Sequence, residues 1–277
     1  MDDVRVASIG PLTRLDDFRG AVHAVFASSV YVAPMSGPLL VIHDSAHGHT
    51  PTSCLVDAAR PIEWGLRTGD RAAGGLGRLR VGDVVFDARH ARVWRPAPTV
   101  RTPWPSPRAS LHALLCDAAG EALQRLALPC QRMVSAFADG LAFEVAAALA
   151  PLLGAGPGLT PSGDDAIVGL LAVVHGARAG APVAGVVDLA CAVVPSLLHR
   201  TTPISAHYLR LALDGHVGEH LTALVDECLR GAEIDDALVE HVRRTGATSG
   251  RDALVGVHAG LSLIARLCRK RVLAGVA

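Results

Sequence analysis

Five prolines fall within residues 96–107 (PAPTVRTPWPSP). Neither a helix interior nor a central strand tolerates that density, because each proline removes a backbone donor and fixes φ. The segment must therefore be a connector. It divides the chain into an N-terminal part, residues 1–105, and a C-terminal part, residues 106–277, and the patterning changes across it.

From Val4 to Pro96, apolar runs of strand length are punctuated at short intervals by Gly, Pro and Asp. Residues 21–32 (AVHAVFASSVYV), 39–43 (LLVIH), 53–56 (SCLV) and 84–94 (VVFDARHARVW) read as strands of a compact β-rich domain, barrel-like or sandwich-like. Beyond Ser110 the pattern becomes Ala/Leu-rich with helical periodicity. It predicts helices near residues 110–128, 131–152, 164–179, 184–199, 204–214, 217–230, 234–245 and 251–272. The expected fold class is α+β: a β-rich domain followed by an all-α domain. Half of the 277 residues are apolar, enough to give each part its own core.

The 26 basic and 26 acidic side chains balance, with no sustained like-charge block. That argues against nucleic acid or an anionic membrane surface as the partner and favours small molecules or proteins. The most apolar region, residues 166–198, is interrupted by His175, Arg178, Pro182, Asp188 and Pro195. It lacks the ~20 uninterrupted apolar residues of a membrane span. The opening MDDVRVASIG carries acids where a secretory leader would carry basic residues, so a cytoplasmic protein is expected. Six cysteines, at 54, 116, 130, 191, 228 and 268, show no C-x-x-C spacing and read as reduced core thiols. Lys270 is the only lysine and sits in the basic tail Arg266-Leu-Cys-Arg-Lys-Arg. Schiff-base chemistry and lysine-dependent phosphate loops are therefore disfavoured. Any anion must be held by arginine, backbone N–H groups or a metal.

One short pattern occurs twice in the helical part. Residues 162–169 read SGDDAIVG and residues 249–256 read SGRDALVG, a shared S-G-x-D-A-[IL]-V-G with six identical positions. Each copy has the features of a helix start: Ser or Gly near the N-cap, an acid in the first turn, then an apolar stripe. Capping chemistry alone favours Ser and Asp at such places. The sharper reading is a pseudo-symmetric pair of helix N-termini facing one site.

The first copy is preceded by a Gly-rich turn, GAGPGLTPSGDD over residues 154–165. Such backbone is costly unless it approaches something closely. A dinucleotide fingerprint is disfavoured, because the preceding segment reads as helix and Pro157 and Pro161 interrupt the motif. Free N–H groups at the following helix start, with Gly156, Gly158, Gly163 and the hydroxyls of Thr160 and Ser162, suit a carboxylate or phosphate. Asp164 and Asp165 point about 100° apart on a helix, so one is expected to orient backbone. The other, joined by Asp252, could act as general base, acceptor or magnesium ligand. A third polar helix start, His199-Arg-Thr-Thr-Pro-Ile-Ser205, offers Arg200 as the cation for an anionic ligand, with Thr201, Thr202 and Ser205 beside it. Ser249 and Gly250 complete the second copy.

The cluster His43-Asp44-Ser-Ala-His47-Gly-His49 invites a metal reading, but no compact zinc signature completes it. A polar loop after a strand accounts for it as well. Trp64, Trp94 and Trp104 read as core or domain-interface anchors rather than a base-stacking platform.

The turn GPGLTPSGDD at residues 156–165 followed by Ile167-Val-Gly169, the segment TPISAHYL at 202–209, and Thr248-Ser-Gly250 with Asp252 and Gly256 together resemble the AllH subunit family of oxamate carbamoyltransferase. The resemblance covers roughly residues 140–260. It implies a cytoplasmic subunit working with two other subunits in allantoin and purine-nitrogen breakdown, where oxalurate is phosphorolysed to oxamate and carbamoyl phosphate. The S-T-R-T-R loop of aspartate and ornithine carbamoyltransferases is absent, so a carbamoyltransferase of that fold is not expected. The site residues expected on this reading are Asp164, Asp165 and Asp252 for chemistry. Gly156, Gly158, Thr160, Ser162, Gly163, Arg200, Thr201, Thr202, Ser205, Ser249 and Gly250 are expected to bind substrate. Two other readings stay open: a non-catalytic small-anion-binding or scaffold module, and a magnesium-dependent hydrolase using the three aspartates.

Overall fold

The computed structural model describes residues 3–57, 61–96, 109–179, 182–231 and 233–275. The chain divides into two compact units, Met1–Pro96 and Ala97–Ala277. The proline-rich residues 97–107, with Trp104, lie outside the described residues.

The first unit is a closed β-barrel. Its strands are β1 (Val4–Ile9), β2 (Arg19–Val25), β3 (Ser29–Pro34), β4 (Leu40–Asp44), β5 (Ser53–Val56), β6 (Arg71–Gly75), β7 (Arg78–Val81) and β8 (Val84–Asp87), with a short β9 (Arg92–Val93). The sheet runs β5-β4-β3-β2-β6-β7-β8-β1-β9, and pairing of β1 with β5 closes it. Alternation sets the inside: on β7, Leu79 and Val81 are buried while Arg78 and Arg80 face out. Closure satisfies the strand edges that an open sheet would expose.

The strand expected over residues 21–32 is two strands. The chain reverses after β2, where the Phe26 N–H donates to the Ser29 carbonyl at 2.8 Å. No Gly or Pro marks that turn, so the apolar run hides it. Residues 84–94 likewise divide into β8 and β9. The β6–β7 hairpin has no expected counterpart, because β6 is Ala/Gly-rich and its turn residue is a leucine. Leu76 and Gly77 both have positive φ, 51° and 72°, the two-residue geometry that matches strand twist.

The second unit is helical: α1 (Ala109–Ala119), α2 (Glu121–Asp139), α3 (Ala142–Leu149), α4 (Ser162–Ala177), α5 (Ala184–Leu197), α6 (Pro203–Leu213), α7 (Glu219–Arg230), α8 (Asp236–Arg243) and α9 (Ser249–Leu273). The breaks around α2 differ from the sequence expectation. They fall at Gly120 (φ 55°) and Gly140 (φ 80°), while Pro129 lies inside α2. Pro129 forfeits one backbone bond. Unbroken, α2 keeps Ala122, Leu126, Cys130, Met133 and Phe137 buried along one stripe, and that stripe outweighs the lost bond.

All six thiols are free. Cys54, Cys130 and Cys228 are buried and Cys116 and Cys268 are half-buried, but Cys191 is exposed, which departs from the core expectation.

Candidate functional site

The two copies of S-G-x-D-A-[IL]-V-G form the N-terminal halves of α4 and α9, and they pack on each other reciprocally. A Cβ at Gly169, the last position of the first copy, would lie 2.1 Å from the Ala253 carbonyl oxygen in the second. A Cβ at Gly256, the matching position of the second copy, would lie 2.0 Å from the Ala166 carbonyl oxygen in the first. The second-position glycines are equally confined, Gly163 against the Leu152 carbonyl at 2.1 Å and Gly250 against the Val242 carbonyl at 1.8 Å. The repeat is thus a packing code: glycines set the closeness of the helix crossing, and the first-turn acids arrive together as a result.

Asp164 and Asp165 divide as a helix requires. Asp164 is fully buried. Its Oδ1 accepts from the Gly154 N–H at 3.0 Å, and its Oδ2 accepts from Ser205 Oγ at 2.7 Å and from Thr201 Oγ1. Thr202 caps α6 by accepting from the Ser205 N–H at 3.1 Å and donates to the Leu159 carbonyl. Thr201, Thr202 and Ser205, expected to bind substrate, are thereby engaged in tying α6 to the Gly-rich turn through Asp164. The turn is shaped to the same end. Gly154 (φ 76°) packs against the Arg200 carbonyl, and Gly156 (φ 124°) packs against Ser162. Gly158 borders open space.

The expected free N–H groups at the start of α4 are in large part bonded internally: Gly163 N–H to the Ala155 carbonyl at 3.0 Å and Asp164 N–H to the Pro161 carbonyl at 2.9 Å. In α9 the Gly250 N–H bonds the Thr245 carbonyl at 2.9 Å. Neither Ser162 nor Ser249 serves as a side-chain cap, the N-cap positions being Pro161 and Thr248.

Asp165 and Asp252 form the distinctive pair. They occupy the same position in the two copies and feel each other's charge. Asp252 is fully buried. Its Oδ1 accepts from the Arg125 guanidinium of α2 at 3.2 Å, while Arg125 itself is half-exposed. Asp165 is bonded by the hydroxyls of Ser249 and Thr160, which contact each other at 2.7 Å. One oxygen of each acid, Asp165 Oδ2 and Asp252 Oδ2, is sealed from solvent and has no hydrogen-bond partner among the described residues. Burial pushes the Asp165 carboxyl well above its ordinary value, the charges of Asp252 and Asp164 add to this, and the bonds from Ser249 and Thr160 oppose it. A raised carboxyl keeps its proton, and with it the ability to donate a hydrogen bond, to higher pH than an ordinary aspartate. The crossing therefore sets a carboxyl with raised proton affinity near a second buried carboxyl, which carries a guanidinium at one flank.

Arg125 is the residue that sequence reasoning missed. It lies 127 positions from its partner in an unremarkable helix, and no local signal marks it. Arg200, the expected cation, donates from Nε to the Ala150 carbonyl at 3.0 Å, and so supports the residues after α3. Among the described residues no group of three or more His, Cys, Asp and Glu side chains is placed to hold a metal ion. In the barrel, His47 pairs with Asp44 at 2.8 Å, His43 turns its Nδ1 to the Asp44 carbonyl, and His49 stacks on Trp94 while bonding Ser8. His43 and His47 thus share Asp44 and meet edge to face at 6.0 Å between ring centroids, while His49 is engaged by Ser8 and Trp94.

Among the described residues no helix is long and apolar enough to cross a membrane. Residues 152–261 match the family model described as oxamate carbamoyltransferase subunit AllH. That span begins before the Gly-rich turn and ends within α9, so it takes in both copies of the repeat and both acids of the pair. Over it the chain is AllH-like. No solved structure matches the chain.

Proposed function

We propose that this AllH-like chain is the carbamoyl-handling subunit of an oxamate carbamoyltransferase-like enzyme in purine-nitrogen breakdown, with its site at the crossing of α4 and α9. The observation that carries the reading is the acid pair: Asp165 held toward neutrality beside Asp252, each with an unpartnered oxygen. A carbamoyl group presents a carbonyl acceptor and an amino donor on one edge. A neutral carboxyl and a carboxylate present the complement. Arg125 adds a planar cation suited to the carboxylate or phosphate at the other end of the substrate.

In this account the carbamoyl C–N bond of oxalurate breaks as a C–O bond to phosphate forms, giving oxamate and carbamoyl phosphate. Asp165 supplies the proton that the leaving nitrogen takes and regains one from the attacking hydrogen phosphate, and Asp252 holds the carbamoyl amino group. A raised carboxyl suits a general acid near neutral pH. On this reading the site is made mainly of side chains, since the Gly163, Asp164 and Gly250 amides are bonded within the chain. Asp164, Thr201, Thr202 and Ser205 act on this reading as positioning residues, and Arg200 supports the same turn.

The test is carbamoyl transfer by the enzyme reconstituted with its other subunits. Asp165→Asn keeps the shape but cannot give up a proton, and general acid–base groups contribute about 10²–10⁴ in rate. Transfer should fall into that range with assembly unchanged, and Asp252→Asn should fall with it. Transfer within about twofold of wild type in both variants would remove the site from this chain.

A further inference from the structure

A second polar site lies in the helical unit, away from the crossing. The C-terminal part of α4, the α6–α7 connection and α7 line a half-open cavity of about 260 Å³, with His175, Asp214, Thr222 and Asp226 in its wall. Asp226 is 7% exposed. Its Oδ2 pairs with Arg230, but its Oδ1 is sealed from bulk solvent with no partner among the described residues. The same holds for His175 Nε2. The ring also bonds the Leu213 backbone, and in the tautomer that donates this bond Nε2 offers a lone pair.

Both unmet atoms are thus acceptors. The Thr222 hydroxyl donates to the Gly218 carbonyl at 3.0 Å, so toward the cavity it too offers lone pairs. The charges around the cavity are mixed. α4 ends at Ala177 and α6 at Leu213, so two negative helix C-termini lie in the region with the carboxylates of Asp214 and Asp226. Arg230 pairs with Asp226, and the charge of Arg178 acts on His175. Leaving a buried acceptor unmet is costly, and an occupant that donates several hydrogen bonds satisfies both unmet atoms. An imidazole and a carboxylate are two of the ligands a transition metal needs, but no third protein ligand is in place among the described residues. An ammonium group needs acceptors and a negative field rather than a fixed coordination number.

We propose that this cavity binds a small protonated amine, held by Asp226 and His175. Nothing in the carbamoyl-handling reading requires it, so the two stand or fall separately.

The test is calorimetric titration of the full chain with methylammonium chloride against sodium chloride at equal ionic strength, with ¹⁵N spectra of the His175 ring. Saturable binding of methylammonium but not sodium, with the His175 Nε2 resonance moving, is the expected result. Asp226→Asn should weaken binding about ten- to a hundredfold, as for a lost hydrogen bond to a charged group. Should Asp226→Asn disturb folding, Thr222→Val on the same wall should still weaken it. Absence of saturable binding would mean that water alone fills the cavity and would overturn the proposal. So would binding that is unchanged in both variants, or tight binding of zinc with none of methylammonium.

Discussion

Gly256→Ala tests whether the repeat is a packing code. The new Cβ would sit 2.0 Å from the Ala166 carbonyl oxygen and 2.8 Å and 2.9 Å from the Ala166 C and Cα. Ordinary carbon–oxygen contact is about 3.3 Å, so α4 and α9 must part by about 1.3 Å. No side chain can swing aside, because every crowding atom is backbone. Overpacking by one methyl costs about 1–3 kcal/mol, and the backbone neighbours put this case near the top, about 3 kcal/mol. For a unit of this size each kcal/mol moves Tm by about 2–4 °C, which gives a fall of about 6–12 °C. The assay is thermal unfolding of the full chain followed by circular dichroism at 222 nm, which reports the helical unit. Gly185→Ala is the control: it lies in α5 with nothing within 4 Å of the new Cβ. Helix propensity makes it neutral or stabilising by up to about 1 kcal/mol. A Gly256→Ala protein melting within about 2 °C of wild type would refute the packing account.

Two further outcomes follow from the buried polar groups. Asp164→Ala leaves three donors, the Gly154 N–H and the hydroxyls of Thr201 and Ser205, without their acceptor. At about 1–3 kcal/mol for each unmet buried group, partly relieved by water, a loss of about 4 kcal/mol is expected in thermal unfolding, against less for Asp164→Asn. In the barrel, burial pulls His43 down to about 4 from 6.5. The stability tied to its neutral form is complete above the unfolded value and is lost as pH falls from there toward 4, by about 3 kcal/mol in all. Denaturant unfolding followed by the fluorescence of Trp64, which packs on Phe86, should show that loss between pH 7 and pH 4.5, and His43→Gln should flatten it.

What the sequence disclosed and what it withheld have separate physical causes. The class of each unit was legible because strand-length apolar runs and helical periodicity are local patterns, and the prolines between them forbid either structure. The matching of residues 162–169 with 249–256 was legible as a pair of helix starts. That their glycines meet each other's alanines is a relation between helices 87 residues apart, which no local pattern encodes. The split of roles between Asp164 and Asp165 follows from helix geometry, but which one turns inward depends on where α6 lies. Arg125 was invisible for the same reason, since its meaning comes from Asp252. The hairpin turns at 26–29 and 76–77 escaped because the first lacks Gly and Pro, and the second places a leucine at positive φ.

The most direct test of the acid pair is the ¹³C carboxyl titration of Asp165 in the full chain. Its folded value is raised, so the folded state holds the proton through a pH range in which the unfolded chain has lost it. Stability should therefore fall as pH rises from the ordinary carboxyl range through the raised folded value. The account predicts that the Asp165 resonance titrates well above that of an exposed aspartate, that Asp252→Asn lowers its midpoint by removing the neighbouring charge, and that carbamoyl phosphate perturbs it saturably. An Asp165 that titrates in the ordinary carboxylate range, unmoved by Asp252→Asn and by carbamoyl phosphate, would contradict it.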